Sequence, residues 1–242
     1  KDMLISLPVS FEAGFQSAPS INGGSISNKG LELTMGFREK IGDLNWSISG
    51  NLSSVSNKVT SLGIGLPITG SSVSSYISLP ATYTEVGEEV GYFKGYIVDG
   101  IYQSDSDVDL EFQPNAKAGD FKFRDINNDG VLTDEDKTKI GSPWPNFTYG
   151  ANIDLEYKGF DFNLSITGVS GNDIFNANKI NTYPMKYFGG SGVVNASKNI
   201  LNRWTPGSGR NEIPRLIYND ANGNYGNSST FYVEDGSFMR IR

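Results

Sequence analysis

The sequence predicts an all-β protein: antiparallel up-and-down strands of a partial transmembrane β-barrel that carries long extracellular loops. Three observations predict it. Four segments alternate apolar and polar residues with period two, short connections join them in pairs, and very long polar stretches separate the pairs.

Over residues 31–38, Leu31, Leu33, Met35 and Phe37 alternate with Glu32, Thr34, Gly36 and Arg38. Trp46, Ile48, Gly50 and Leu52 then alternate with Asn45, Ser47, Ser49, Asn51 and Ser53. A second pair repeats the pattern. Phe147, Tyr149, Ala151, Ile153, Leu155 and Tyr157 alternate with polar or small residues, and so do Phe160, Phe162, Leu164 and Ile166. Successive side chains of a strand point to opposite faces, so each segment has one apolar and one polar side. These segments form hairpins over about 30–54 and 147–169, connected by residues 39–44 and by Lys158-Gly159. Each strand runs about 9–11 residues, enough for a tilted bilayer crossing. Aromatics (Phe37, Trp46, Phe147, Tyr149, Tyr157, Phe160) sit near the ends of the apolar faces, where an interfacial girdle belongs. The loops, about 55–145 and 170–230, exceed the usual connections of a compact soluble domain. A soluble sandwich alternates in the same way, its apolar face being core; the loop asymmetry favours the barrel.

Composition narrows function. The 242 residues hold 20 Lys+Arg and 27 Asp+Glu, a net charge of −7, with no Cys and no His. That excludes a disulfide framework, thiol catalysis, a Ser-His-Asp relay and a His/Cys zinc site. The acidic balance argues against nucleic acid, whose phosphates need clustered Lys and Arg. No apolar run is long enough for a membrane helix, and the first residues lack the apolar core of a signal peptide. The chain is expected to be an excised segment of a longer protein.

More specific is the run Gly119-Asp120-Phe121-Lys122-Phe123-Arg124-Asp125-Ile126-Asn127-Asn128-Asp129-Gly130. It is followed by Ile140-Gly141-Ser142-Pro143-Trp144-Pro145-Asn146-Phe147, Tyr157-Lys158-Gly159-Phe160-Asp161 and Gly171-Asn172-Asp173-Ile174-Phe175. Together they resemble the C-terminal barrel region of the SusC/RagA family of TonB-linked outer-membrane transporters of Bacteroidetes-type bacteria. Flanking pieces such as Arg203-Trp204-Thr205-Pro206 and Phe231-Tyr232-Val233-Glu234-Asp235-Gly236 follow in the family's order. The resemblance implies an outer-membrane, 22-stranded barrel with an N-terminal plug, closed by a SusD-like surface lipoprotein. It also implies import of oligosaccharide or peptide cargo driven through TonB, which segments outside this chain would contact. This chain would supply lumen wall and extracellular loops.

Two loop features could carry chemistry. Asp125, Asn127, Asp129, the Val131 carbonyl, Thr133 and Asp136 fall at the ligand positions of a twelve-residue Ca²⁺ loop, with Gly130 at its sharp bend. Asp136 is one methylene shorter than the usual Glu, and a string of Asx turns needing no metal has the same sequence. Tyr183, Tyr187, Phe188, Trp204, Tyr218 and Tyr225 in the second loop could stack on cargo, or pack the loop against the barrel rim or its lipoprotein partner. Asp105, Asp107, Asp109, Glu111, Asp134 and Glu135 lack the fixed separation that glycoside hydrolysis needs, so no enzyme is expected. The alternative function is a soluble, calcium-stabilised β module that binds glycan at the cell surface.

Overall fold

The computed structural model describes residues 3–6, 20–63, 65–73, 79–184 and 195–242. Its frame is a six-stranded antiparallel sheet in the order β1-β2-β3-β10-β11-β14. These strands are β1 (Met3–Ser6), β2 (Ser20–Ile41), β3 (Leu44–Leu62), β10 (Phe147–Tyr157), β11 (Phe160–Ser170) and β14 (Phe238–Ile241).

Both predicted hairpins form, with tighter turns than expected for the first. Ile41 pairs Leu44 directly, leaving only Gly42-Asp43 as the turn, and Gly42 takes the positive φ (62°) that a type II′ turn requires. Tyr157 pairs Phe160 across Lys158 (φ 49°) and Gly159 (φ 85°), the two positive values of a type I′ turn.

The first hairpin also extends well past its expected limits. Pairing runs from Ile41↔Leu44 up to Gly24↔Leu62, with a bulge between Ser25 and Ile26. Beyond residue 54 both strands are rich in Ser, Asn and Gly, so alternation disappears while the backbone ladder continues. A strand that is polar on both faces shows no alternation to betray it.

β10 and β11 have 11 residues each. At about 3.3 Å per residue and a tilt of about 40°, such a strand rises ~28 Å, close to the hydrocarbon thickness.

The two long polar stretches are not open loops. They build a four-stranded sheet, order β4-β5-β6-β9, from β4 (Ile68–Thr69), β5 (Thr82–Thr84), β6 (Tyr92–Gly95) and β9 (Thr138–Gly141). Two ribbons accompany it: β7 (Val98–Ile101) with β8 (Phe121–Phe123), and β12 (Asp173–Phe175) with β13 (Val233–Asp235). The one α-helix of the described residues is short, α1 (Asn178–Thr182).

The buried hydrophobic clusters of the described residues lie here and not in the six-stranded sheet. Tyr96, Ile101, Phe112, Phe121, Phe123 and Trp204 form one cluster, Tyr183, Ile200, Ile213 and Tyr225 a second, and Leu79, Ile180 and Tyr232 a third. Phe231 packs against all three. The stretches join where Tyr96 N donates to Ser228 O (2.9 Å) and Thr230 N to Tyr96 O (3.0 Å). Gly95 permits that approach, because a Cβ there would collide with the Ser228 carbonyl. The assembly is seated on the tall first hairpin: Val59, fully buried, exchanges backbone hydrogen bonds with Gly87 and Glu88 (2.9 Å each).

Candidate functional site

Register decides what the six-stranded sheet can do. Ile153 lies between Ile48 and Leu164, Leu155 between Trp46 and Phe162, and Ala151 between Gly50 and Ile166. Phe37 continues the row beyond Ile48, and Ile241 continues it beyond Ile166. The apolar faces of five strands therefore merge into one surface, which no part of the described chain covers. Met35 is 68% exposed, Phe162 53% and Phe160 80%. A patch of this extent is unstable against water and marks contact with lipid or another apolar body. No helix of the described residues is long and apolar enough to cross a membrane. Near the tight turns the Phe37 and Trp46 rings lie 5.1 Å apart at a tilt of 41°, and Lys158 lies 5.3 Å from the Tyr157 ring. That is the amphipathic belt expected at a membrane interface.

The opposite face carries a polar ladder. Asn45 donates to Glu156 (3.0 Å), Ser47 donates to Asp154 (2.9 Å), and Asn163 donates to the other oxygen of Asp154. Carboxylates linked to amides and hydroxyls in this way suit a water-filled lumen.

Above the wall, a buried polar network locks the two loop stretches together. Asp120, fully buried, accepts Nε and Nη2 of Arg215 (2.7 and 3.0 Å), the Asn224 amide (2.9 Å) and the Lys117 N–H (2.9 Å). Asn224 returns its oxygen to Phe121 N (2.9 Å), and Gln113 bridges Phe121 O, Phe123 N, Tyr102 and Asn222. Asp220 caps the following turn by accepting the N–H groups of Asn224, Tyr225 and Gly226. Burial pushes its carboxyl above the ordinary value in spite of those three donors. Satisfied buried networks of this kind fix one arrangement of a loop.

Most of the candidate aromatic contacts belong to this core. Tyr225 is fully buried and Trp204 and Tyr183 nearly so, with the Trp204 indole N–H held by Gln103 (3.1 Å). Burial raises the Tyr225 hydroxyl well above its usual range. Tyr218, at 71% exposed, faces solvent. Tyr187 and Phe188 lie outside the described residues. Tyr183, Trp204 and Tyr225 pack within the loop clusters, and Tyr183 also lines a cavity between the loops.

The 125–136 loop is shaped by a string of side-chain-to-backbone turns. Asn128 (φ 59°) and Gly130 (φ 77°) supply the left-handed bends. Asp125 accepts from Asn128 N (2.7 Å) and Gly130 N (2.9 Å), Asn127 from Asp129 N (3.1 Å), and Asp129 from Val131 N (2.8 Å). Thr133 caps the 3₁₀ turn over Asp134–Asp136. Asp136 is fully buried and caps the amides of Ile126 (2.9 Å) and Thr133 (2.8 Å), so it points away from a common ligand centre. Among the described residues, no three acidic side chains converge closely enough to hold a metal ion. The donor types suit Ca²⁺, but the cage is not closed.

No family model matches the chain. Its whole length aligns with TonB-dependent receptor P26 of Formosa agariphila, at 30% identity over 243 residues and 24% of that protein. It also aligns with TonB-dependent receptor SusC of Bacteroides thetaiotaomicron, at 24% identity over 90% of this chain and 21% of that one. Among solved structures, the RagAB peptide importer in its closed-closed state superposes over the full chain with a TM-score of 0.71. Sequence identity there is 22%, and 25% of that chain is covered. The chain is a SusC/RagA-like segment of a TonB-dependent receptor.

It spans about a quarter of the length of the curated relatives it matches. A SusC/RagA-like segment is an outer-membrane β-barrel segment, and the model's open antiparallel sheet is that of a partial barrel. The predicted fold class and location therefore hold. What sequence reasoning missed is the network around Asp120, Gln113, Arg215, Asn222 and Asn224. Its partners lie 95–109 residues apart, and only an unusual density of Asn and Gly at 219–227 hinted at a built turn.

Proposed function

We propose that the chain supplies lumen wall and extracellular loops to a TonB-driven importer of oligosaccharides or peptides. The observation that carries this reading is the two-faced wall: a five-strand apolar surface left open on one side and an Asp/Asn/Ser ladder on the other. A SusD-like surface lipoprotein would close over the loop assembly, and TonB would engage other segments of the whole receptor. The relatives bear receptor and transporter names, and Asp105, Asp107, Asp109 and Asp134 serve as turn caps or ion-pair partners, so no catalytic role is proposed. A soluble glycan-binding module is not favoured, because such a module would have to cover its own apolar face.

Cells expressing the full receptor should take up labelled oligosaccharide or labelled peptide, and collapse of the proton-motive force should stop it. Energy-independent accumulation, or none of either probe, would refute the importer reading.

A calcium ion in the 125–136 loop is a second, separable proposal. Asp125, Asn127 and Asp129 would hold it in the bend formed by Asn128 and Gly130, and Asp136 would have to release its two amides to complete the shell.

A further inference from the structure

The tall first hairpin carries two lysines on the same face as the open apolar surface. Lys29 pairs Ser56 and Ser27 pairs Lys58, so the lysines are diagonal neighbours across β2 and β3, at a backbone separation of about 7–8 Å. Lys29 continues the alternate positions of Leu31, Leu33 and Met35, and Lys58 those of Leu52, Ser54 and Ser56, which places both on the outward side of the sheet. Lys29, Ser56 and Lys58 are exposed, and neither lysine forms an ion pair among the described residues. From Trp46 to Lys58 the strand rises ~30 Å, at about 3.3 Å per residue and a tilt of about 40°, which is the hydrocarbon thickness. The lysines therefore stand at headgroup level, across the bilayer from the Phe37 and Trp46 belt. Aromatics mark the same boundary on the next strand, where Tyr149 pairs Leu52 and Phe147 opens β10 just beyond it.

Like charges side by side on a sheet repel, so this pair calls for a counter-charge. The hairpin does not supply one: β3 has no carboxylate, and Glu32, the carboxylate of β2 nearest Lys29, alternates onto the inner face. That inner face is closed at this height, where the buried Asn57 donates to Asn28 Oδ1 (2.5 Å) and accepts from Val90 N (2.9 Å). Directly below the lysines the outward side is apolar, with Leu31 73% exposed and Leu33 51%. A matching ligand is anionic at its upper end and apolar beneath. A phosphate has enough oxygens to bridge two ammonium groups and the Ser56 hydroxyl, and acyl chains cover leucines. A free anion would leave the leucines bare, and a neutral lipid would leave the lysines without a counter-charge.

We propose that Lys29, Ser56 and Lys58 hold the phosphate of a glycolipid in the leaflet on the loop side, with its acyl chains along Leu31, Leu33 and Leu52. The site rests on the lipid-facing half of the importer reading. The test titrates full-length receptor in detergent with monophosphoryl lipid A and counts retained lipid by native mass spectrometry. Binding should be saturable. Lys29→Gln/Lys58→Gln should weaken it roughly tenfold or more, the usual worth of two lysines beside an anionic headgroup. Lys29→Arg/Lys58→Arg should preserve it, and Lys40→Gln, on the lumen side of the same hairpin, should leave it unchanged. Removing the phosphate from the lipid should weaken binding as much as the glutamine variant does, and millimolar inorganic phosphate should not displace the lipid. Absent saturation, or undiminished binding by the glutamine variant or by the dephosphorylated lipid, overturns the site. Displacement by inorganic phosphate also overturns it, leaving a site for an adventitious ion only. The lipid face is scored separately by oxygen and nickel accessibility of spin labels along β11. Oxygen access there without phosphate-dependent binding removes only this site, whereas nickel reaching positions 160, 162, 164 and 166 removes the lipid face and the site with it.

Discussion

Asp136 and Asp125 show how one short motif can be held by amides, by a cation or by both. In the structure Asp125, Asn127, Asp129 and Asp136 each cap a backbone N–H, which is enough to shape the loop. If Ca²⁺ also binds, EDTA should lower the melting temperature of the full receptor, CaCl₂ should restore it, and Asp125→Ala should abolish the difference. Identical melting curves with and without chelator would leave the Asx turns as the whole account. Glu234 carries a pH prediction. The hydrogen bond from Lys179, with a second from Asn176, holds its carboxyl below the ordinary value of 4.5. A carboxyl depressed by folding adds stability that is complete above its unfolded value and lost as pH falls through the folded one. Acidification below about pH 4.5 should therefore loosen the β12–β13 ribbon, read as faster backbone hydrogen exchange, and Glu234→Gln should flatten that dependence. Exchange that steepens identically in both proteins would assign the acid effect elsewhere. The ligand spacing of 125–136 was plain in the sequence because it is local. The Asp120–Arg215 pair was not, since a buried carboxylate and a solvated one are the same letter until a partner 95 residues away arrives.

At the level of elements, the hairpins were legible for a physical reason with a sharp boundary. Within hydrocarbon, alternate residues must be apolar, so Phe147–Tyr157 and Phe160–Ser170 announce themselves to within a residue. Above it neither face is constrained, and the upper part of Leu44–Leu62 looks like loop although its ladder is intact. The short strands β4 to β9 were unreadable for a related reason: two to four residues cannot display a period. Leu164, opposite Ile153 on the apolar face, should tolerate Arg poorly, at a cost of about 2–4 kcal/mol near mid-bilayer. Thr167→Ser, on the ladder side, should cost next to nothing. Reversible folding of the full receptor into lipid vesicles, titrated with urea, measures both; equal costs would contradict the assignment of faces.

On the scale of the whole molecule, a two-faced wall and a packed loop assembly share one chain but draw stability from different sources. On the proposed reading the wall relies on its ladder and on lipid, whereas the assembly relies on aromatic packing centred on Phe231. That ring lies 5.1–6.2 Å from Phe121, Tyr183, Tyr225 and Tyr232. Phe231→Ala should cost about 3 kcal/mol. Because one ring serves all three clusters, hydrogen exchange should accelerate together around Phe121, Ile180 and Ile213, while β10 and β11 keep their protection. Acceleration confined to one cluster would show that the assembly is not a single cooperative unit.

The central claim is that lipid covers the apolar side of the sheet, and the absence of native cysteine in this segment makes a clean probe possible. Single cysteines at positions 160 to 167, spin-labelled in the full receptor reconstituted into bilayers, would be scanned for collision with oxygen and with a water-soluble nickel chelate. Oxygen accessibility should peak at positions 160, 162, 164 and 166 and nickel accessibility at 161, 163, 165 and 167. A flat profile, or nickel reaching the even positions, would contradict it.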